Sequence, residues 1–361
     1  MLPRYGPKGA NSRYRLWQYV PLLRDQGIEV DVRPMLGDNY IAHLYARRRR
    51  PLLTTLAGYF HGVTRAFPAR NYDVVVLDQE LVPYVPAGIE RILARMNPCL
   101  IVDYDDAAYC KYSHFPLLDR KIETIMSFSR AIVVGNHHLA EHAQRFAADV
   151  RLIPTVVDVS KYKPKPDCRA GNAIRICWIG TPITANRFLM PMLPLFRELQ
   201  QEIPSLRFRF IGAGRLEDSN LFNLEQVSWS EETEASSIAE CDIGIMPLLD
   251  NDFERGKCGL KLLQYMAASL PVVASPVGEN RYIVDQGGNG FLAADPGQWR
   301  ESLRCLIVNS TLRERMGRQG RSKVERQYSL SYGFDLWQQL LRDVRQRPSH
   351  RVSELLFEHK N

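Results

Sequence analysis

The sequence predicts an α/β protein made of two doubly wound domains that face a cleft. The first observation behind this prediction is that short β-branched or apolar runs alternate with longer stretches of helical periodicity along most of the chain. Such a pattern is typical of parallel sheets covered by helices on both faces. The second observation is the length of 361 residues, which is long for one domain and sufficient for two of roughly 150–200 residues each.

The candidate strands fall into two series. The first series comprises residues 28–32, 72–77, 100–103, 131–134 and 150–153, and the second comprises 173–179, 207–212, 243–246 and 271–275. Helical periodicity predicts helices at 12–26, 118–127, 139–146, 189–200 and 257–268. Because the apolar runs are continuous rather than alternating, we expect the strands to be buried on both faces.

A polar, proline-bearing segment at residues 158–167 separates the two series. It suits neither a helix nor a central strand, and it therefore predicts an inter-domain linker. We expect an N-terminal domain over 1–157, a linker over 158–170, a C-terminal domain over 171–327 and a helical tail over 328–361.

The first strand of the N-terminal domain is short. Only Met1–Arg4 precedes the glycine-bearing segment Tyr5–Ala10, whereas a doubly wound domain normally opens with a full buried strand. Either the domain tolerates a truncated strand or the true start lies upstream of Met1, and we favour the second explanation.

The composition is that of an ordinary soluble globular protein, with 45% hydrophobic and 24% charged residues. The net charge of +7 is modest for this length, and we expect no nucleic-acid partner. The densest basic run, Arg47, Arg48, Arg49 and Arg50, precedes an apolar stretch over 52–67. This combination suits an anionic membrane surface and equally a solvated loop before a surface helix.

Several features point to a cytoplasmic protein, with a peripheral position on the inner face of the membrane as an option. No apolar run reaches the ~18–20 residues of a membrane span, and no signal peptide precedes the chain. The seven cysteines form no CxxC pair and no metal-type spacing with histidine. We therefore expect no metal site.

The segment from Glu254 to Ala268 carries the strongest chemical signal. If a helix begins near Lys257, the side chains of Lys257, Lys261 and Gln264 share one face. A helix start also offers unpaired N–H groups and the positive end of the helix dipole. Together these groups suit a diphosphate and a ribose, although a plain amphipathic surface helix with solvated lysines has the same pattern.

The residues that follow favour a binding site. Leu270–Ser275 has the pattern of a buried strand, and it leads into the glycine-containing loop Pro276–Asn280 and another predicted helix. Two helix starts and the carboxyl end of a strand would then meet in one small region. This is the way in which α/β sheets build anion sites.

The run from Gly256 to Asn280 resembles the donor-site signature of family 4 glycosyltransferases, which are retaining enzymes with the GT-B fold of two Rossmann-like domains. Weaker resemblances extend along the chain, at residues 9–15, 103–107, 153–158, 178–181 and 210–214. The resemblance implies transfer of a sugar, with retention, from a nucleotide diphosphate sugar to a glycan, a lipid-linked acceptor or a small molecule. It also implies that the tail from residue 328 crosses back to the first domain.

The resemblance implies a set of donor-binding residues: Gly180, Thr181, Lys257, Lys261, Gln264, Gly278, Glu279 and Asn280. The lysines and the backbone around Gly278 would stabilise the leaving diphosphate, which is the charge that this chemistry develops. Gln264 would hold the ribose, and Glu279 or Asn280 would contact sugar or phosphate. No metal and no cofactor are required if the lysines supply the charge.

The chain departs from the family pattern at one point. Many members carry a glutamate pair spaced E-x7-E, and the corresponding positions here hold Gly256 and Gln264. Gln264 can still hydrogen-bond ribose hydroxyls, because its amide both donates and accepts. Gly256 has no side chain, so Glu254 is the nearest replacement and joins Lys261 among the expected catalytic residues.

The N-terminal domain offers candidate acceptor-side residues. Asp105 and Asp106 follow the strand at 100–103, where a carboxylate would orient an acceptor hydroxyl or act as a base. The alternatives are a cap on the next helix and a divalent metal site. Gly9 allows a close backbone approach, Ser12 is expected to cap a helix that begins at Arg13, and Arg13 would reach a phosphate.

Two alternative functions stay open. The first is a catalytically silent subunit that binds a sugar nucleotide after losing the acidic pair. The second is a sugar-nucleotide epimerase on the same fold. Residues 212–214 lack the third glycine and the acidic residue of a dinucleotide fingerprint, so binding of a nicotinamide dinucleotide is not expected.

Overall fold

The computed structural model describes residues 1–38, 40, 52–164, 173–216, 221 and 223–346. In this part of the chain, two compact units are distinguished. Unit 1 comprises Met1–Gly135, Leu139–Ile153 and residues 334–346, and unit 2 comprises Asn136–His138 and Pro154–Gly333. Arg47, Arg48, Arg49 and Arg50 lie outside the described residues, as do residues 165–170 of the predicted linker. The sequence-based domain bounds stay predictions, since a compact unit is not yet an independently folding domain.

Unit 1 contains a four-stranded parallel sheet in the order β1-β2-β3-β4. Its strands are β1 (Val75–Asp78), β2 (Leu100–Tyr104), β3 (Ala131–Val134) and β4 (Val150–Leu152). Every residue of β1, β2 and β3 is buried. The continuous apolar runs of the sequence therefore correspond to strands covered on both faces.

The N-terminal residues extend this sheet beyond β1. The Leu2 amide donates to the Val76 carbonyl at 2.8 Å, and the Asp78 amide donates to the Leu2 carbonyl at 3.1 Å. On the other side, the amides of Arg33 and Met35 donate to Met1 and Pro3, each at 2.9 Å. The strand predicted at 28–32 is wrong, because these residues form no strand; within them, only the Asp31 carbonyl pairs with the N-terminal residues, accepting from the Met1 amino group at 2.7 Å.

The helices of unit 1 differ from the prediction mainly at the start. They are α1 (Ala10–Arg15), α2 (Val20–Asp25), α3 (Leu52–Ala66), α4 (Gly88–Met96), α5 (Lys121–Phe128) and α6 (His137–Ala143), the last of which begins in unit 2. The single helix predicted at 12–26 is divided by a 3₁₀ turn at Trp17–Tyr19. Pro21 lies in the first turn of α2, where its missing N–H costs nothing.

Unit 2 contains a six-stranded parallel sheet in the order β10-β9-β8-β5-β6-β7. Its strands are β5 (Arg175–Ile179), β6 (Arg207–Ile211), β7 (Leu224–Val227), β8 (Ile243–Met246), β9 (Val272–Ala274) and β10 (Gly290–Leu292). The sequence did not predict β7, a strand with no fully buried residue, or β10, which has only three residues. Because β5 pairs with both β6 and β8, the strand order reverses there, and such a reversal leaves a crevice at the carboxyl ends of the two strands.

The helices of unit 2 cover this sheet and end in a helix that continues into unit 1. They are α7 (Pro182–Thr184), α8 (Leu193–Glu202), α9 (Glu234–Ala239), α10 (Asp252–Arg255), α11 (Leu260–Ala267), α12 (Asn280–Ile283), α13 (Pro296–Val308), α14 (Ser310–Gln327) and α15 (Leu330–Gln346). In α15, Trp337 packs against Tyr19 of unit 1 with ring centroids 6.1 Å apart. No helix among the described residues is long and apolar enough to span a bilayer.

The helix expected from Lys257 begins later, at Leu260. Gly259 occupies its N-cap with φ of +68°, in the left-handed region. A right-handed helix cannot continue back through that conformation, and glycine adopts it without the steric cost that a side chain would bring. Lys257 therefore lies in the loop before α11 rather than on its first turn.

Candidate functional site

In unit 2, most of the predicted donor-site residues lie at the crevice where the strand order reverses. Gly180 and Thr181 follow β5 directly, and residues 247–259 follow β8. Thr181 caps α7, because its hydroxyl accepts from the Thr184 amide and the Thr184 hydroxyl accepts from the Thr181 amide. The loops after two neighbouring parallel strands therefore lie at one edge of the sheet.

Lys261, on the first turn of α11, is brought against the end of β5. Its ammonium nitrogen lies 4.4 Å from the ring centre of Trp178, which is fully buried. Burial and the neighbouring Lys257 lower the pKa of Lys261 to about 7, although Glu254 acts in the opposite direction. Lys257 itself lies over the ring of Phe253, at 4.5 Å. The two cations are therefore close enough to repel each other, and an anion between them would relieve that repulsion.

Glu254 is buried beside these lysines, with 1% of its surface exposed. It lies in α10, whose N-cap Asn251 accepts from the Glu254 amide at 3.1 Å. The guanidinium of Arg187 pairs with its carboxylate at 2.9 Å, and the Arg187 side chain is 45% exposed. Sequence reasoning missed Arg187, because nothing in its local pattern distinguishes it from a solvated arginine.

The loop between β9 and α12 is held tightly. Gly278 has a φ of +50°, and a Cβ at this position would lie 2.3 Å from the carbonyl oxygen of Arg255. The Asn280 side chain donates to the Ser275 carbonyl at 3.0 Å and is buried. The backbone of this loop therefore lies directly against the end of α10. The segment after β8 and the segment after β9 are thus in contact.

The Glu279 carboxylate has a hydrogen-bonding partner that the sequence did not indicate. Its carboxylate accepts from the backbone amide of His137 at 3.1 Å and lies 3.0 Å from Nδ1 of the same residue. The His137 ring stacks on Tyr282, with centroids 3.8 Å apart and planes inclined by 11°. Burial raises the pKa of Glu279, and the hydrogen bonds from His137 oppose that rise. The expected contact between Glu279 and the donor stays a prediction.

Gln264 is also buried, with 3% of its surface exposed. Its amide nitrogen donates to the hydroxyl of Tyr162 at 3.2 Å. The carbonyl of Tyr162 in turn accepts from Arg321 at 2.7 Å. This chain of contacts fixes the orientation of the Gln264 amide, and its predicted role with ribose remains a prediction.

We expect Gly278→Ala to destabilise unit 2 and to weaken any ligand held by the loop. The left-handed backbone costs an alanine about 1 kcal/mol or more, and here the new Cβ meets backbone atoms that have no room to move. Gly287→Ala is the matched control, since Gly287 has a φ of +74° with no atom within 4 Å. Thermal unfolding should show a larger loss for Gly278→Ala, and equal losses would contradict the close contact.

In unit 1, the predicted acidic pair lies where β2 ends. Asp105 accepts from the Gln79 side chain at 2.9 Å, and Asp106 accepts from the Asn11 side chain at 3.4 Å. The 3₁₀ turn that follows, Ala108–Tyr112, has Ala107 at its N-cap and no side-chain cap. The alternative in which the aspartates cap the next helix is therefore wrong.

Asp105 is surrounded by other carboxyl groups. Burial, followed by the neighbouring Asp106, Asp78 and Asp103, raises its pKa to about 8. Asp103 is paired with the buried Arg15, whose Nε donates to Asp103 Oδ2 at 2.9 Å. At neutral pH the Asp105 carboxyl is therefore largely protonated, so it can donate a hydrogen bond there and accept a proton at higher pH.

The residues expected on the acceptor side serve mainly to hold this site together. Ser12 does not cap a helix, because α1 begins at Ala10 with Gly9 at its N-cap. Instead, the buried Ser12 hydroxyl donates to Asp78 at 2.6 Å. Arg13 is 8% exposed, with its guanidinium 4.9 Å from the Tyr14 ring centre. The helix predicted to begin at Arg13 begins earlier, at Ala10, directly after Gly9 at its N-cap.

The raised pKa of Asp105 makes the stability of the protein depend on pH. Its folded pKa of about 8 lies above the ordinary value of 3.8, so the folded state binds more protons than the unfolded state between these values. Stability therefore falls as the pH rises from about 4 to 8. We expect Asp105→Asn to reduce that loss, as measured by melting temperatures at pH 5 and pH 9, while the exposed Asp119→Asn leaves the wild-type difference in place. An unchanged difference in Asp105→Asn would contradict the raised pKa.

A family model described as glycosyl transferases group 1 matches residues 174–309. These residues are similar to group 1 glycosyl transferases, and the match covers less than half of the chain. The matched stretch contains Gly180, Lys261, Gly278 and the other residues at the crevice of unit 2, so the resemblance drawn from the run Gly256–Asn280 is confirmed.

Two curated relatives match parts of the chain. Spore coat protein SA of Bacillus subtilis is 36% identical over 63 residues, which is 17% of each chain. An uncharacterized glycosyltransferase of Methanocaldococcus jannaschii is 31% identical over 125 residues, which is 32% of this chain and 34% of the relative. The alignments therefore span about a sixth and a third of the relatives' lengths.

Solved structures resemble the chain over most of its length. HepE of Anabaena in complex with UDP has a TM-score of 0.66 at 14% identity, over 95% of this chain and 98% of that one. A glycosyltransferase from Rickettsia africae has a TM-score of 0.67 at 11% identity, over 96% and 99%. Sucrose-phosphate synthase from Thermosynechococcus elongatus has 0.64 at 17%, over 82% and 80%. The predicted GT-B-like fold, with two parallel-sheet α/β units, is confirmed.

Unit 2 has the two residues by which the sequence departs from the family pattern. Gly256 ends α10, and Gln264 lies on α11 with its amide held by Tyr162. Glu254 lies two residues before Gly256, buried and paired with Arg187. A carboxylate is thus present near the expected position, but its partner is an arginine that sequence reasoning did not find.

Proposed function

We propose that the chain is a glycosyltransferase that moves a sugar, with retention, from a nucleotide diphosphate sugar to an acceptor. The observation that carries this proposal is the group of cations at the crevice of unit 2. Arg187 pairs with the buried carboxylate of Glu254, and Lys261 interacts electrostatically with both Glu254 and Lys257. Departure of the sugar leaves negative charge on the diphosphate, and fixed cations in a partly dry site stabilise that charge.

Each donor-site residue has a role in this proposal. Lys257 and Lys261 bind the diphosphate, with the backbone at Gly278 closing the site from the other side. Gln264 binds the ribose, and Glu254 contacts the sugar in place of the acid missing at residue 256. Gly180 and Thr181 leave room for the donor at the end of β5, and Asn280, with Glu279, keeps the loop in position.

Known proteins support the donor class. The relative in Methanocaldococcus jannaschii is named as a glycosyltransferase, and HepE of Anabaena was crystallised with UDP-glucose. The acceptor is a glycan or a lipid-linked molecule in this proposal, with Asp105 or Asp106 orienting its hydroxyl. A cytoplasmic location and a peripheral membrane contact through Arg47–Arg50 belong to the same proposal, and no cofactor enters it.

A second candidate is a catalytically silent subunit that binds the sugar nucleotide. It is favoured by one observation, the absence of side-chain carboxylates at Gly256 and Gln264. In that case Glu254 would serve only to balance Arg187, and donor binding would proceed without turnover.

Thermal-shift measurements with UDP, GDP and ADP test the proposal directly. A ligand that binds only the folded state raises the melting temperature, so one of the three should stabilise the protein. The matching sugar nucleotides are then incubated with the protein. Release of the nucleotide diphosphate supports the transferase, a new sugar nucleotide without that release indicates an epimerase, and binding without turnover indicates the silent subunit. If none of the diphosphates shifts the melting temperature, the proposal is wrong.

A further inference from the structure

The loop after β1 places an aromatic side chain on the surface in a strained backbone conformation. Tyr84 has a φ of +61°, in the left-handed region, which costs a residue with a side chain about 1–2 kcal/mol. Its side chain nevertheless remains 53% exposed. Burial of the ring therefore does not account for the strain, and some other part of the structure must maintain it.

A hydrogen bond to a buried tyrosine hydroxyl fixes the backbone of Tyr84. The Tyr84 amide donates to the hydroxyl of Tyr112 at 3.1 Å. That hydroxyl in turn donates to Glu80 Oε2 at 2.6 Å. Glu80 is fully buried and also pairs with Lys111 at 2.8 Å. The conformation of an exposed residue is thus tied to a buried carboxylate.

The buried carboxylate belongs to a network of charges that fixes the whole loop. Lys121 has no exposed side-chain surface and lies 2.7 Å from Glu80 and 3.7 Å from Glu90. Glu90 Oε1 accepts from the amides of Leu81 and Val82, at 3.0 and 3.1 Å. Buried ion pairs add little net stability, because desolvation offsets their attraction, and in some proteins they fix a conformation instead. This network fixes the backbone that leads to Tyr84.

Aromatic and cationic groups surround the Tyr84 ring. The rings of Tyr112 and Phe115 meet it in T-shaped contacts, with centroids 5.7 and 5.8 Å away, and the Lys111 ammonium lies 4.4 Å from its centre. At the other end of the same loop, Gln79 has a φ of +60° and donates to Asp105. The loop after β1 therefore has two strained residues, the buried Gln79 and the exposed Tyr84.

We propose that Tyr84 is a platform on which a sugar ring of the acceptor stacks, so that the acceptor is a saccharide or carries one. This inference rests on the proposed function and names the class of acceptor. The apolar C–H face of a sugar covers the exposed part of the ring, while its hydroxyls reach the neighbouring Lys111 ammonium.

A membrane surface is the competing partner for the same exposed residues, which include Phe115 and Leu117. Binding to a membrane scales with buried apolar area and attraction of cations to anionic lipids. It does not require a ring fixed at one place. The strain and the buried network therefore favour a ligand with a defined shape.

Saturation-transfer NMR with methyl glycosides of glucose, galactose, mannose and N-acetylglucosamine tests the inference. At least one glycoside should bind the wild-type protein. Tyr84→Ala should weaken that binding about tenfold, which corresponds to the loss of one stacked ring, and Tyr84→Trp should preserve it. Tyr332→Ala removes an exposed tyrosine elsewhere and serves as the control.

A second variant tests the role of the buried network. Glu80→Gln should weaken glycoside binding while the thermal shift caused by the nucleotide diphosphate is unchanged, because the donor site is in unit 2. The inference is overturned if no glycoside binds the wild type, or if Tyr84→Ala binds as well as the wild type. It is also overturned if vesicles of phosphatidylcholine and phosphatidylglycerol bind the wild type and Tyr84→Ala abolishes that binding. If no nucleotide diphosphate raises the melting temperature of the wild type, the proposed function itself is refuted instead.

Discussion

Lys261→Met should nearly abolish transfer while making the protein more stable. Loss of a charge-assisted contact to the diphosphate should weaken donor binding about 10- to 100-fold. Loss of a cation that stabilises the leaving group should lower turnover by a further factor of about 10²–10³. Donor affinity by calorimetry and release of the nucleotide diphosphate measure the two effects separately.

The gain in stability follows from the pKa of Lys261. Its folded value of about 7 lies below the ordinary 10.5, so between these values the unfolded state binds more protons. The stability of the wild type therefore rises with pH across that window and is lowest below pH 7. Lys261→Met removes this penalty, and its melting temperature should exceed that of the wild type most clearly at pH 6.

The lysine also predicts a pH dependence of donor binding in the wild type. The diphosphate requires the ammonium form, which is lost in the free protein as the pH rises through about 7. Donor affinity should therefore fall between pH 7 and pH 9, and the slope should disappear in Lys261→Met. The exposed Lys161→Met is the control for loss of a positive charge. Wild-type donor affinity in Lys261→Met would show that the diphosphate is bound elsewhere.

Arg15→Met should cause the largest loss of stability among changes in unit 1. Arg15 and Asp103 are 2% and 1% exposed and lie 2.5 Å apart, and Arg15 also donates to the Ile153 carbonyl at 2.8 Å. Removing one partner of a buried pair leaves an uncompensated charge and costs about 3–5 kcal/mol. Unfolding in urea should show this as a lower midpoint.

Two further variants show whether the loss of stability comes from the buried ion pair or from removing any arginine. Arg318 pairs with Glu314 on the surface of α14, with 71% of its side chain exposed, so Arg318→Met should cost less than about 1 kcal/mol. Replacing both partners, as in Arg15→Met with Asp103→Leu, should restore much of the stability because no charge remains buried. A loss below about 1 kcal/mol for Arg15→Met alone would contradict the assignment of a buried pair.

The donor segment was predictable because its information is local. Lys257, Lys261, Gly278 and Asn280 fall within one short stretch whose spacing and glycine positions indicate a helix start and a tight loop. The start of α11 was misplaced by three residues, since Gly259 adopts a left-handed conformation and a helix begins only after it. Glycine in a helical pattern does not by itself reveal a cap.

The partners of these residues were not predictable. Glu254 was named as a substitute for a missing acid, but its pairing with Arg187 depends on how α10 packs beside the residues after β5. The same is true of Glu279, which the sequence assigned to the donor and the structure places against His137. Side chains on separate elements meet only after the sheet has formed, and no periodicity records which of them will be neighbours.

By itself, the sequence determined the two doubly wound units and the stretch that carries the donor signature, because both depend on alternation and spacing along the chain. The tertiary structure alone decided which charges are buried and what balances them. Arg15 and Asp103 are 88 residues apart in sequence, and Lys261 is placed over Trp178 of a different element. Burial in a low dielectric environment gives such contacts their energy and shifts their pKa values, and burial exists only once the chain is folded.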